Sequence, residues 1–276
     1  MLERREFNKA ISERPLLLRE ILQQAFALLN ERFGAFILLM IAVYLPVQLL
    51  TQYTLLQIDL SGENLEELWN QLLGIYKGEI GLSFLEMAAV LVTAVMVHNQ
   101  IFDEERLAFG TAFYRGLRMW LRAAFTVMLL MLLLFSTGMA AGLLLMMPGM
   151  LLLAFPLILL GAVMYNLLHG FICNAAALRG RFGFDGFRYV AFVLKGRMGK
   201  AIGNYAVILL LTGGALMVCN YMLSSITAQI TIPLLSFAIQ VIFSVLLSVW
   251  NIYGYIALSI LFLNLEELKR GKTAVD

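Results

Sequence analysis

The chain has 276 residues, 61% of them apolar and 14% charged, against about 45–50% and about 25% in an ordinary globular protein. A mean hydropathy of +0.85 excludes a soluble domain and makes this an integral membrane protein. A formal charge of +2 is too mild for a nucleic-acid binder, and two cysteines, Cys173 and Cys219, cannot staple a secreted scaffold.

The first 32 residues carry eleven charges, and the first long apolar run follows them, too late and too long for a cleavable signal. That run, from Gly34 to Gln52, is expected to be both insertion signal and first span, with Pro46 near its far end. Gly81 to Phe102 reads as the second. Beyond it, charge gaps mark the bilayer. Ala123 to Leu178 is 56 residues without Asp, Glu, Lys or Arg, and Ala201 to Leu265 is 65 more. A helix rises ~1.5 Å per residue and the hydrocarbon core is ~30 Å thick, so each gap holds two spans. The expected breaks are Met147-Pro148-Gly149 in the first gap and Ser224 to Pro233 in the second, where proline and polar residues interrupt the run. The fold expected over residues 1–276 is a single all-α membrane domain, a six-transmembrane-helix bundle of three helical hairpins. Its spans are 33–53, 81–102, 122–147, 150–176, 201–223 and 233–263. Helices satisfy their own backbone groups in lipid, and the alternation a barrel needs is absent.

Cations decide the orientation. Six lie in residues 1–32, four between spans two and three, six between spans four and five, and three in the C-terminal tail. That places nineteen of the twenty Lys and Arg on one side. Lys77 alone lies opposite, in an expected loop that also carries Asp59, Glu63, Glu66, Glu67 and Glu79. By the positive-inside rule both termini are cytoplasmic and the number of spans is even; four or eight would spoil the partition.

Three amphipathic segments lie on that face. Pro15 to Phe33 carries Leu17, Ile21, Leu28 and Phe33 in one stripe. Phe109 to Trp120 mixes Phe113, Leu117 and Trp120 with Arg115 and Arg118. Phe182 to Gly199 mixes five aromatic or apolar residues with Arg188, Lys195 and Arg197. They either rest in the interface with cations toward anionic headgroups or pack against the bundle as linkers. Arg115, Arg118, Arg188, Lys195, Arg197 and Lys200 are the candidate headgroup contacts, and membrane lipids the expected partners. Each segment precedes an odd-numbered span, marked by Ala25-Phe26, Ala112-Phe113 and Ala191-Phe192. This suggests a threefold repeat of interfacial helix, span, span.

Gly110-Thr111-Ala112-Phe113, Met147-Pro148-Gly149 and Ala191-Phe192-Val193-Leu194-Lys195-Gly196-Arg197 give the chain a layout that resembles the bacterial six-span proteins of the YciC type, related to the membrane domain of glycerophosphoryl diester phosphodiesterases. The resemblance covers about a third of the chain. It implies a bacterial inner-membrane location and brings no catalytic residues, because in the phosphodiesterases the chemistry belongs to a separate soluble barrel.

Polar residues within spans are expensive and face protein or water. Asn166, His169, Gly170, Cys173 and Asn174 share one face of span four. Gln240, Ser244, Ser248, Asn251, Tyr255 and Ser259 share one face of span six, and His98 sits at the inner end of span two. Glu86 is the one carboxylate inside a span, expected near the outer end of its helix. Asn166, His169, Asn174, His98, Asn251, Tyr255 and Glu86 are thus the candidates for a polar cavity in the cytoplasmic half; interhelical hydrogen bonding is the commoner use of such residues. Gly138 and Gly142 form a G-x-x-x-G packing pair. Eight of the fifteen methionines fall between Met119 and Met164, where flexible apolar filling is commoner than copper binding. Two histidines on different spans make no zinc site, and no nucleotide, hydrolase or metalloprotease motif is present. Two functions are expected on this basis: a non-enzymatic structural, accessory or lipid-interacting protein without cofactor or metal, or a small-solute or ion transporter.

Overall fold

The computed structural model describes residues 4–56, 65–103, 107–145, 151–227, 229–230 and 232–273, and all its regular structure there is helical. In chain order come α1 (Arg4–Glu13), α2 (Leu18–Glu31), α3 (Phe33–Leu39), a π-helical turn (Met40–Tyr44), α4 (Leu45–Leu56) and α5 (Leu65–Phe102). Then follow α6 (Phe109–Arg118), α7 (Trp120–Leu145), α8 (Leu151–Arg179), α9 (Gly183–Leu194), α10 (Met198–Thr227) and α11 (Pro233–Thr273). Among the described residues, five helical stretches are long and apolar enough to cross a membrane, over Phe33–Leu50, Ser83–Phe102, Leu159–Arg179, Met198–Thr227 and Leu234–Gly271. Over its described side chains α7 offers the shorter apolar stretch Trp120–Leu132.

Local chemistry sets the boundaries. Pro46 cannot donate to the carbonyl four residues back, and its ring crowds that turn. The chain widens just before it, with Leu45 N–H bonded to Met40 O five residues away. Gly180, at φ +63°, ends α8: its N–H and that of Arg181 bond back to Ala176 O and Ala175 O, closing the last turn through a left-handed residue that carries no Cβ penalty. Gly196, at φ +80°, turns the chain between α9 and α10. Pro233 opens α11, where a missing N–H is harmless.

A short helix followed by two long ones occurs at α6–α8 and at α9–α11, whereas the chain opens with two short helices, α1 and α2, before the α3–α4 stretch and α5. The Ala-Phe marker does not keep register, however. Ala25 and Ala112 are fully buried, whereas Ala191 is exposed and the buried position is Val190. The expected stripe on α2 also changes. Leu17 and Phe33 are exposed, and Ile21, Ala25, Leu28 and Leu29 face the bundle. Leu17 precedes the helix, and the chain bends at Arg32, so the 3.6-residue period does not reach Phe33. The expected outer loop is shorter than read, because α5 begins sixteen residues before Gly81 and contains Lys77 and Glu79. The Met147-Pro148-Gly149 break lies outside the described residues, as do the side chains of Gly138 and Gly142.

Packing divides the molecule along its length. The outward surface of α10 is open, with Leu210, Met217, Val218 and Tyr221 exposed. Ser83–Phe102 of α5 is the most enclosed of the five apolar stretches, and residues 256–266 of α11 are buried throughout. At that end α1, α2, α6 and α9 cover the long helices. Polar ties fix the cover. The Asn264 amide donates to Ile11 O (2.7 Å) and Arg14 O (2.9 Å) and accepts from Leu16 N–H (3.0 Å). Tyr253 donates to Leu22 O. Arg32 donates to Leu107 O and to Asn99, whose amide in turn holds Asp103. Glu20 accepts from Arg14 and from Leu17 N–H, closing the start of α2, and the Arg14 guanidinium holds its carboxyl below the usual range.

On α6, which packs along α5, a Cβ on Gly116 would lie 2.9 Å from the backbone N of Val92, while one on Gly110 meets nothing within 4 Å. Backbone cannot step aside as a flexible side chain can. Gly116→Ala is therefore expected to lower stability by about 1–3 kcal/mol, and Gly110→Ala to leave it unchanged or raised by up to about 1 kcal/mol through helix propensity. Thermal unfolding of the two variants in one detergent checks the contrast.

Candidate functional site

Two hollows in this bundle collect the polar residues. The inner one is a cavity of about 130 Å³ between α5, α7, α8, α10 and α11. Ser83, Glu86, Tyr165, Asn166, His169, Tyr205 and Tyr255 supply its polar lining, and Phe84, Val127, Met131 and Leu258 its apolar part. Tyr165 stacks on His169 with ring centroids 5.9 Å apart. Asn166 donates its side-chain amide to Ala162 O. Cys173 lies one turn past His169, with Sγ 3.7 Å from Nε2. Behind the cavity, Tyr44 of the π-helical turn is fully buried and faces Tyr255, Asn251 and Glu86.

Depth follows from helix rise. Val127 is five residues beyond Arg122 on α7, and Tyr205 is five beyond Lys200 on α10. The cavity thus lies about 8 Å along each helix from its last cation. Glu86 lies three residues inside the apolar stretch Ser83–Phe102, as expected of its span, but not near the first end of its helix. Because α5 starts at Leu65, twenty-one residues separate Glu86 from that end, and it stands level with Val127 and Met131.

The second hollow is a cleft of about 320 Å³ where the end of α5 meets α6 and the end of α8. His98, Asn99, Asp103, Arg115, Arg118 and Met119 line it, with Ala177 and Leu178. Arg115 and Arg118 are exposed. The two guanidiniums outnumber the single carboxylate of Asp103, so the cleft favours anions.

The structure brings four of the seven cavity candidates together: Glu86, Asn166, His169 and Tyr255. Asn251 stands beside Tyr44 instead. Asn174 is fully buried one turn from Gly170 and donates to its carbonyl, the interhelix-free use of a polar residue. His98 belongs to the cleft with Arg115 and Arg118. Arg188, Lys195 and Lys200 are exposed elsewhere on α9 and α10, and Arg197 is half-buried. Among the described residues no group of three His, Cys, Asp or Glu is placed to hold a metal ion.

Sequence reasoning missed the brace beside these hollows. Glu266, 1% exposed, accepts from Arg179 through Nε (2.7 Å) and Nη2 (2.8 Å), from Tyr189 Oη, and from Arg270 (3.4 Å). Burial, and then the carboxylate it donates to, raises the Tyr189 hydroxyl above the usual phenol range, so it remains a donor. The signal was a charged pair, Glu266-Glu267, immediately after a charge-free span. Tyr44 and Tyr165 were missed as well, because a tyrosine in an apolar run reads as filling.

Comparison of the chain with family models, curated proteins and solved structures finds no match in any of the three.

Glu266→Gln keeps the shape and removes the charge opposite two arginines. It is expected to cost about 2–4 kcal/mol, at or just below the range for breaking a buried pair because both arginines are partly exposed, whereas Tyr189→Phe is expected to cost about 1 kcal/mol. Thermal midpoints of both variants test this; equal, negligible losses would show that the brace carries no load.

Proposed function

We propose that the chain is a non-enzymatic six-span protein of the bacterial inner membrane, with both termini cytoplasmic, that holds anionic lipid headgroups at its cytoplasmic face. The membership this implies is the YciC-type family. One observation carries the lipid reading: Arg115, Arg118 and His98 converge on a cleft of about 320 Å³ at the end of the molecule that bears the cations. A phosphate needs charge-assisted donors in a hollow of headgroup size, and paired guanidiniums supply them. Exposed aromatic residues beside the cations support the same reading. Tyr114 (67% exposed) adjoins Arg115, Phe184 (77%) lies one turn from Arg188, and the Arg122 guanidinium sits 5.1 Å from the centre of the Phe182 ring. Rings of this kind suit the boundary between acyl chains and headgroups.

In this reading α7, whose backbone helix runs over 26 residues to Leu145, is the sixth span. The hairpins would then pair the two long helices of each repeat. Close packing of α10 with α11 and the bond from Gln240 to Thr227 support that pairing at the far end. A second reading, transport of a small solute or ion, is favoured by the inner cavity alone.

Native mass spectrometry of the full chain, released from membranes containing phosphatidylglycerol and phosphatidylethanolamine, tests the headgroup role. The parent is expected to retain phosphatidylglycerol preferentially, and Arg115→Gln/Arg118→Gln to retain it at least tenfold less with helicity unchanged. Equal retention by the two would contradict the cleft assignment.

A further inference from the structure

We propose that the cavity between α5, α7, α8, α10 and α11 binds a small organic ammonium ion, with the Glu86 carboxylate as its counter-charge and the rings of Tyr165, Tyr205 and Tyr255 as its walls.

Glu86 is the anchor of this site. Among the described residues it has no lysine, arginine or hydrogen-bond donor paired with it, in contrast to Glu266 and Glu20, which are each held by an arginine. A carboxylate drawn away from bulk water is costly as an anion unless a positive charge or a proton joins it. Among the described residues no positive charge does so, and the cavity supplies room. About 130 Å³ far exceeds the ~10–15 Å³ needed to admit a single water.

The lining then selects among cations. A tightly held divalent ion draws on several carboxylates, and Glu86 is the cavity's one carboxylate. What surrounds it is aromatic. Tyr165, Tyr205, Tyr255 and Phe84 come from four different helices, and ring faces attract a diffuse organic cation. Oxygen acceptors stand among them. Asn166 donates one of its two amide hydrogens to Ala162 O, and its Oδ1 can accept an N–H, as can the tyrosine hydroxyls. An anion or a neutral apolar guest would gain nothing from Glu86. Ser83, Phe84, Glu86, Met131, Tyr165 and Asn166 are all partly exposed, so the cavity has a mouth where α5, α7 and α8 meet.

The ammonium group has two sources, a free amine or the headgroup of phosphatidylethanolamine. The test uses the full chain in nanodiscs made of phosphatidylglycerol alone, titrated calorimetrically with ethanolammonium chloride, and with sodium chloride and ethylene glycol as controls. Saturable binding of one ethanolammonium per chain is expected, with neither control binding. Glu86→Gln should weaken it at least tenfold and Tyr165→Leu severalfold. Glu86→Asp, which keeps the charge on a shorter arm, should fall between and guards against misfolding of the neutral variant. A second arm adds phosphatidylethanolamine. If the lipid is the source, the parent retains one such molecule, ethanolammonium displaces it, and Glu86→Gln loses it; if a free amine is the source, the titration does not change. Either result upholds the site. No saturable binding in either arm, or equal binding by parent and Glu86→Gln, overturns it. The site is independent of the headgroup cleft, so Arg115→Gln/Arg118→Gln should leave ethanolammonium binding intact even where it abolishes phosphatidylglycerol retention.

Discussion

Charge that cannot enter hydrocarbon organises this molecule. Two stretches of 56 and 65 residues carry no Asp, Glu, Lys or Arg, and the ionic groups they exclude are concentrated in the segments before, between and after them. There the cations serve three ends. Arg179 meets the buried Glu266 and fastens α8 to α11, where Tyr189 also ties α9, and Arg270 pairs with the same carboxylate within α11. Arg32 fastens the start of α3 to the end of α5. Arg115, Arg118, Arg188 and Lys195 remain outward, available to whatever lies against that end. The same exclusion makes the unpaired Glu86 conspicuous, because every other described carboxylate in the buried part of the bundle has an arginine beside it.

The short helices are the means by which the long ones are held. Helices in lipid gain little from burying apolar surface against each other, so small contacts and hydrogen bonds decide their arrangement. Gly116 lets α6 approach the Val92 backbone, and Gly170 lets α8 approach Leu258. Asn264 answers three backbone groups at the α1–α2 turn that would otherwise be unsatisfied. Both hollows lie where this scaffolding ends, the cleft at the rim and the cavity about 12–18 Å further along α8 and α5.

Much of the fold was legible because it follows from one-dimensional signals. Charge gaps gave the apolar helices, Pro233 and the polar residues before it gave the break between α10 and α11, and 3.6-residue patterns gave α2, α6 and α9 almost to their ends. The Leu17 and Phe33 assignments failed because a periodic stripe carries no information about where the chain bends. The outer start of α5 was missed because its first turns are charged, and charge near an apolar run reads as loop. At the candidate site, helix-face spacing correctly grouped Asn166 with His169, and Glu86 was flagged by its rarity. What joins them to Tyr205 and Tyr255 is the packing of five helices, which no spacing within one helix reveals. The Arg179–Glu266 brace spans 87 residues of sequence and was invisible for the same reason.

The proposed topology has one end of the bundle, with both termini, in the cell interior and six helices across the bilayer. Epitope tags at residue 1 and after residue 276, with a third inserted after Gly62, test it by protease accessibility in spheroplasts. Both terminal tags are expected to be protected until the membrane is broken, and the Gly62 tag to be cleaved from outside. A terminal tag digested in intact spheroplasts, or a protected Gly62 tag, would contradict the account.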